Sequence, residues 1–251
     1  MQFISIVPMK SNRENSNRCD ASVEKEYDCS PNYSLIRNIH VGFPSPAASS
    51  AVSLVRDDYR YFHYLCDSFD DRNWGCGYRV LQTLSSWIDP ESSPLSLREM
   101  IVVLSEMETG ISKSALDNHH VENPWIGTFE GFLILDRVYD VSCRIDFIKS
   151  PKEFEEHTPL IYKHFAESGA PIFMGGDQDC YGKCVLGICL VDKEHHLLIL
   201  DPHFVGILDN KEEAYRKGCL TWTPVKEFLR ESIYNLLMPL SHGQMKFRPA
   251  R

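Results

Sequence analysis

Clustered basic charge is missing from this chain: its 26 lysines and arginines are dispersed among 35 acidic residues, and the formal net charge is −9. Phosphate backbones are gripped by grouped Lys and Arg, so a general nucleic-acid binder is excluded, while room is left for a basic partner. Long apolar runs are missing too. Nothing approaches the roughly 20 residues that cross a bilayer, and the opening MQFISIVPMK is too short and too weakly apolar for a secretory signal. The expected setting is the reducing cytoplasm, with the nucleus as a second compartment and no membrane insertion. Paired cysteine knuckles are absent as well. The nine cysteines are odd in number and scattered, which does not suit a disulfide framework. Cys180, Cys184 and Cys189 lead into a strand-like run without the C-x2-C spacing of a zinc site. Free thiols are expected, with no metal. Internal repeats and low-complexity tracts do not occur.

Residues 1–34 read as a flexible polar extension, because the stretch from Lys10 to about Pro31 has no apolar periodicity. Residues 35–251 are long enough to bury one substantial core and read as one domain. Within it, GFPSPAASS (42–50) has the composition of a loop. Apolar residues at helical spacing predict helices from Cys76 through Ile88, over LREMIVVLSEMETG (97–110, stopped by Gly110), over TFEGFLILDRVYD (128–140, with Thr128 as cap) and over TPLIYKHFAESG (158–169). VSCRIDFI, APIFMGGD, CVLGICLVD and HHLLILD predict strands, the last two joined by a hairpin at DKEH. No element is assigned beyond Phe204. Helices early and strands late give an α+β fold, helices packed on a mainly antiparallel sheet, an arrangement compatible with a papain-like protease.

The stretch DDRNWGCGYRV (70–80) frames one thiol with Trp74, Gly75 and Gly77. A cysteine at a helix start is a plausible nucleophile, since unpaired N–H groups and the helix dipole favour the thiolate. The glycines would let a substrate carbonyl approach, with the Cys76 N–H aimed at an oxyanion. A buried structural cysteine between turn glycines explains the same frame, and on this motif both readings stand. HLLILDPHF supplies a second element. If the strand continues through Asp201 and His203, these two share a face about 7 Å apart. Asp201 could then orient His203, and His203 deprotonate Cys76; a polar turn after a strand is the bland alternative. Six other histidines (His119, His120, His157, His164, His195, His196) read as surface or capping residues.

YFHYLCDSFDDRNWGCGYRVLQTLSSW, PWIGTFE, IFMGGD and LILDPHF, in this order between about Leu35 and Leu240, resemble the ubiquitin-fold-modifier-specific proteases. The shorter branch is the better match, since Lys183 stands where the longer branch has histidine and the long N-terminal domain of that branch is missing. The resemblance implies a papain-like thiol peptidase and isopeptidase. It would expose the C-terminal glycine of the modifier precursor and remove the modifier from conjugated proteins. It also implies Cys76 as nucleophile, Asp201, Pro202 and His203 as the Asp-Pro-His box, and Tyr64 as an oxyanion-stabilising tyrosine. Trp74, Gly75, Trp125, Ile126, Gly127 and Pro202 are the expected substrate-binding residues, Trp125 to Gly127 bordering a channel for the modifier's tail. The expected partners are the modifier and its conjugates, on which the chain acts as a monomer without cofactor. Two rivals are an autophagy-type cysteine protease, disfavoured by G-Y-R after the cysteine, and a non-catalytic modifier-binding module.

Overall fold

The computed structural model describes residues 34–107, 109–112, 124–150 and 153–249. The expected N-terminal extension, apart from Ser34, and the loop histidines His119 and His120 lie outside the described residues. Seven strands form one sheet: β1 (Ser49–Leu54), β2 (Cys143–Ile148), β3 (Ile172–Gly176), β4 (Lys183–Val191), β5 (Glu194–Leu200), β6 (Leu220–Pro224) and β7 (Tyr234–Pro239). Their order is β2-β7-β3-β4-β5-β6, with β1 added to β4, and every pairing is antiparallel. Among the described residues, five α-helices accompany it: α1 (Cys76–Ile88), α2 (Leu97–Glu106), α3 (Thr128–Tyr139), α4 (Phe154–Glu167) and α5 (Lys211–Arg216). The α+β expectation holds, with helices packed on an antiparallel sheet.

All residues of α1 are buried, because it packs on β3 and β4 and also touches α2 and α3. Burial of its polar residues requires partners, and these partners organise the chain that precedes it. Thr83 Oγ1 accepts from the Phe62 N–H at 3.2 Å and Ser86 Oγ accepts from the Arg60 N–H at 2.9 Å. The polar stripe of α1 therefore holds residues 60–64 alongside the helix.

Several boundaries differ from expectation for physical reasons. The stretch 42–50 is not all loop, since Ser49 and Ser50 open β1; a bulge between Ser50 and Ser53 and the positive φ of Ala51 disguise the strand. Helix α2 ends at Glu106 with Met107 as its C-cap, short of Gly110. The N-cap of α3 is Gly127 and not Thr128, and the Glu130 carboxylate accepts from the Gly127 N–H at 2.8 Å. Helix α4 begins at Phe154 and carries Pro159 inside it. The DKEH hairpin closes more tightly than four residues, with only Asp192 and Lys193, both at positive φ, between β4 and β5, as a two-residue turn of primed type requires.

Candidate active site

Cys76 is the first residue of α1, so its N–H has no partner within the helix. Its thiol is 3% exposed. Burial pushes such a thiol up, yet the Cys76 thiol lies below its ordinary value. The His203 ring, the Gly182 N–H, the positive charge of His203 and the Tyr64 hydroxyl together outweigh the loss of solvent. His203 is raised to about 9: burial opposes its charge, but hydrogen bonding to Asp201 and Cys76 and their negative charges favour it. Its Nδ1 is bonded to Asp201 Oδ1. The buried Nε2 has no hydrogen-bond partner of its own, and the Cys76 thiol is close enough to shift the titration of the ring. At neutral pH these shifts favour a thiolate–imidazolium pair.

The Asp201–His203 geometry differs from a continued strand. β5 stops at Leu200, and the Asp201 carboxylate also accepts from the His203 backbone N–H at 2.9 Å, as an Asp does across a tight turn. One oxygen thus fixes both the backbone and the ring of His203. The polar turn and the Asp201–His203 pairing are thus one arrangement. The box is held from the opposite side by residues 61–64. Tyr61 Oη donates to Asp201 O at 2.5 Å, and the Tyr64 N–H donates to Pro202 O at 2.9 Å. Tyr64 is 5% exposed, its ring edge-on to His203 at 5.2 Å between centroids. Its hydroxyl faces the Cys76 thiol; burial and that neighbour push its ionisation well above the usual phenol range, so it remains a donor.

The expected substrate-binding residues divide. Trp125 is 50% exposed and belongs to no core, while Ile126 sets its carbonyl oxygen 2.8 Å from where a Gly77 Cβ would stand. Tyr78 Oη donates to Pro124 O at 2.7 Å, so the Pro124–Gly127 stretch is fastened to the nucleophile helix. Trp74 is 7% exposed, with its ring edge-on to Tyr78 at 5.6 Å and to Phe69 at 6.0 Å. Pro202 is buried. The glycine frame is also explained internally. A Cβ at Gly75 would lie 2.2 Å from Asp71 Oδ2, and one at Gly182 would lie 3.2 Å from the Gly77 backbone. Gly75 and Gly182 thus permit close packing around the turn that carries Cys76.

Gly182, Tyr61, Asp71 and Arg79 were not singled out by the sequence reading. A signal existed for Arg79, a charged residue on a helix stripe otherwise read as core. His–carboxylate pairs also occur elsewhere: His157 pairs with Asp146 at 2.6 Å, His195 with Glu155, and His242 with Asp57 at 3.1 Å. What distinguishes His203 is the thiol beside it. His164 is a core residue and not a surface one, bonded to Ala170 O at 2.9 Å and lowered to about 4 by burial. Among the described residues, no group of three or more His, Cys, Asp or Glu is placed to hold a metal ion.

A thiol at a helix start, beside an imidazole that follows a strand and is oriented by a carboxylate, is the papain-like arrangement of a cysteine peptidase. A sequence profile of Peptidase family C78 matches residues 50–237, and the chain belongs to that family. It is 35% identical over 209 residues to the Ufm1-specific protease 1 of Mus musculus, covering 80% of this chain and 93% of the mouse protein. It is 31% identical over 222 residues to the Probable Ufm1-specific protease of Oryza sativa subsp. japonica, covering 82% of this chain and 33% of that longer protein. The crystal structure of UfSP from C. elegans superposes with a TM-score of 0.69 at 28% identity, over 84% of this chain and 38% of the nematode chain.

Proposed function

We propose that this peptidase processes the precursor of the ubiquitin-fold modifier Ufm1 to expose its C-terminal glycine, and removes the modifier from conjugated proteins. The observation that carries the reading is the convergence of Cys76, His203, Asp201 and Tyr64 on one point, in a chain spanning 93% of a protein named for this substrate. The reaction is acyl transfer. The Cys76 sulfur bonds to the glycine carbonyl carbon, the C–N bond breaks, and the proton held on His203 goes to the leaving amine. Water, deprotonated by His203, then adds to the thioester and releases the thiolate. The Tyr64 hydroxyl and the Cys76 N–H stabilise the oxyanion in both steps. Half-exposed Trp125, with Ile126 and Gly127, borders the tail of the modifier, and the backbone at Gly75 and Pro202 lines the same approach. Trp74 serves from beneath.

The peptidase unit is residues 35–251, acting as a monomer in the cytoplasm and nucleus on the modifier and its conjugates, without nucleic acid or cofactor. No helix among the described residues is long and apolar enough to cross a membrane, and the seven described cysteines are free thiols, which supports that setting. The test is to incubate the full chain with Ufm1 precursor and, separately, with ubiquitin precursor. Cleavage of the first alone, lost in Cys76→Ser, is the expected result. Equal processing of ubiquitin, or cleavage by the serine variant, would overturn the reading.

A further inference from the structure

Beneath the turn that carries Cys76 lies a buried ion pair. The Asp71 and Arg79 side chains are both 0% exposed and joined in bidentate fashion, with Arg79 Nε to Asp71 Oδ2 at 2.8 Å and Arg79 Nη2 to Asp71 Oδ1 at 2.9 Å. Such a pair is weak evidence for stability, because desolvation consumes much of the attraction. Its connections say more. Asp71 Oδ1 also accepts from the Leu65 N–H at 2.9 Å, the residue directly after Tyr64. The Asp71 carbonyl accepts from the Gly75 N–H at 2.7 Å and the Trp74 N–H at 3.2 Å, immediately before Cys76. Gly75 lacks a side chain where Oδ2 sits. Arg79 stands one turn into α1, with its N–H bonded to Gly75 O at 3.0 Å, and its guanidinium also reaches Asp67 Oδ1 at 2.7 Å and Gln82 Oε1 at 3.1 Å.

One residue therefore ties together the two chain segments that carry the oxyanion donors: Leu65, next to Tyr64, through its carboxylate, and Trp74 and Gly75, next to Cys76, through its backbone carbonyl. We propose that Asp71 and Arg79 are positioning residues that fix the Tyr64 hydroxyl relative to the Cys76 N–H, so that both donors meet the developing oxyanion. The segment 65–73 runs in open turns with Leu65, Ser68 and Asn73 at positive φ, and has no helix or strand of its own to define that separation. Hydrogen-bond donors stabilise a transition state only where they already stand, and about 1 Å of displacement can cost about 100-fold. The inference rests on the acyl-transfer reading above.

Asp71→Asn keeps the size of the side chain but pits an amide against the guanidinium fork, and Arg79→Lys keeps the charge but not the fork. In the full chain, each is expected to lower kcat on Ufm1 precursor by about 10- to 100-fold with KM changed by less than about threefold. Alkylation of Cys76 by iodoacetamide, in which sulfur displaces iodide and no oxyanion forms, should stay within about twofold of wild type. Tyr64→Phe added to either variant should cost no more than about threefold beyond Tyr64→Phe alone, because both act through one donor. Losses that multiply independently, or an alkylation rate that falls in step with kcat, would overturn the assignment. If Asp71→Asn does not fold, Arg79→Lys carries the same expectations. Wild-type chain inactive on the precursor would instead refute the substrate reading, and wild-type turnover with both variants unimpaired would refute only the positioning role.

Discussion

At the scale of single residues, the site depends on two opposed shifts. The Cys76 thiol is lowered although burial alone would raise it, and His203 is raised to about 9 although burial alone would lower it. Each is charged because the other is, so the titration belongs to the pair. Below its lowered value the thiol is protonated and inert; above about 9 the imidazolium is lost and no acid remains for the leaving amine. Peptidase activity should therefore follow a bell, its acid limb below the ordinary thiol range and its alkaline limb near 9. Replacing His203 with alanine removes the cation, so the pH midpoint of Cys76 alkylation should move upward, toward or beyond the ordinary thiol value. An unmoved midpoint in His203→Ala would show that Gly182, Tyr64 and the helix start ionise the thiol without the base. At this scale the sequence was legible where chemistry is concentrated in short motifs: Cys76 after W-G, and Asp201 and His203 in D-P-H. It was illegible where a partner lies far along the chain. Nothing local to Gly182 announces that its N–H reaches Cys76, and Trp74 has the same identity whether it walls a cleft or fills a core.

At the scale of elements, the helices and strands read correctly are those whose apolar residues recur at helical spacing or run at strand length, and the misread ones have a local exception. Helix α4 shows why. Proline normally opens a helix, since it lacks the N–H that the first turn leaves unpaired, and this places the predicted start at Thr158. The observed start is Phe154, with Pro159 in the interior depriving the Glu155 carbonyl of its usual donor. That carbonyl instead accepts from the Thr158 hydroxyl at 2.9 Å, and Thr158 is 3% exposed. Thr158→Val keeps the shape and removes the donor. It should destabilise the fold by about 1 kcal/mol, a fall in Tm of roughly 2–4 °C by thermal unfolding, and leave kcat unchanged because α4 does not touch the site. Pro159→Ala in the same chain should recover part of that loss by restoring a backbone donor. An unchanged Tm in Thr158→Val would mean that solvent satisfies Glu155. β7 is the opposite case. YNLLMP is strand-like, yet its place between β2 and β3 in the middle of the sheet is set by partners about 90 and 60 residues earlier in the chain, and pairings so distant leave no local mark.

At the scale of the whole molecule, the nucleophile helix is held at both ends by segments distant in sequence. Its start is clasped by residues 67–71 and its far end by residues 241–248. There the His242 ring stacks on Trp87 at 3.9 Å between centroids while its Nδ1 bonds to Trp87 O at 2.8 Å. The Gly243 N–H donates to Ile88 O at 3.1 Å and the Met245 N–H to Asp89 Oδ2 at 2.8 Å. The Lys246 N–H then reaches Val138 O at 2.7 Å at the end of α3, and Arg248 pairs with Glu99 of α2 at 3.0 Å. This irregular strap thus joins α1, α2 and α3 on the side away from Cys76. A chain ending at Leu240 would uncover Trp87, which is fully buried, and strand the Ile88 and Val138 carbonyls. Lost hydrogen bonds at about 1 kcal/mol each, together with the exposed indole, should lower stability by roughly 3 kcal/mol, or about 6–12 °C in Tm for a domain of this size. Because the strap lies remote from the oxyanion donors, the truncated chain assayed well below its new midpoint should retain the kcat of the full chain. A preserved Tm would show that the sheet anchors α1 without the strap, and a lost kcat in still-folded protein would show that the far end of α1 governs the placement of Cys76 at its start.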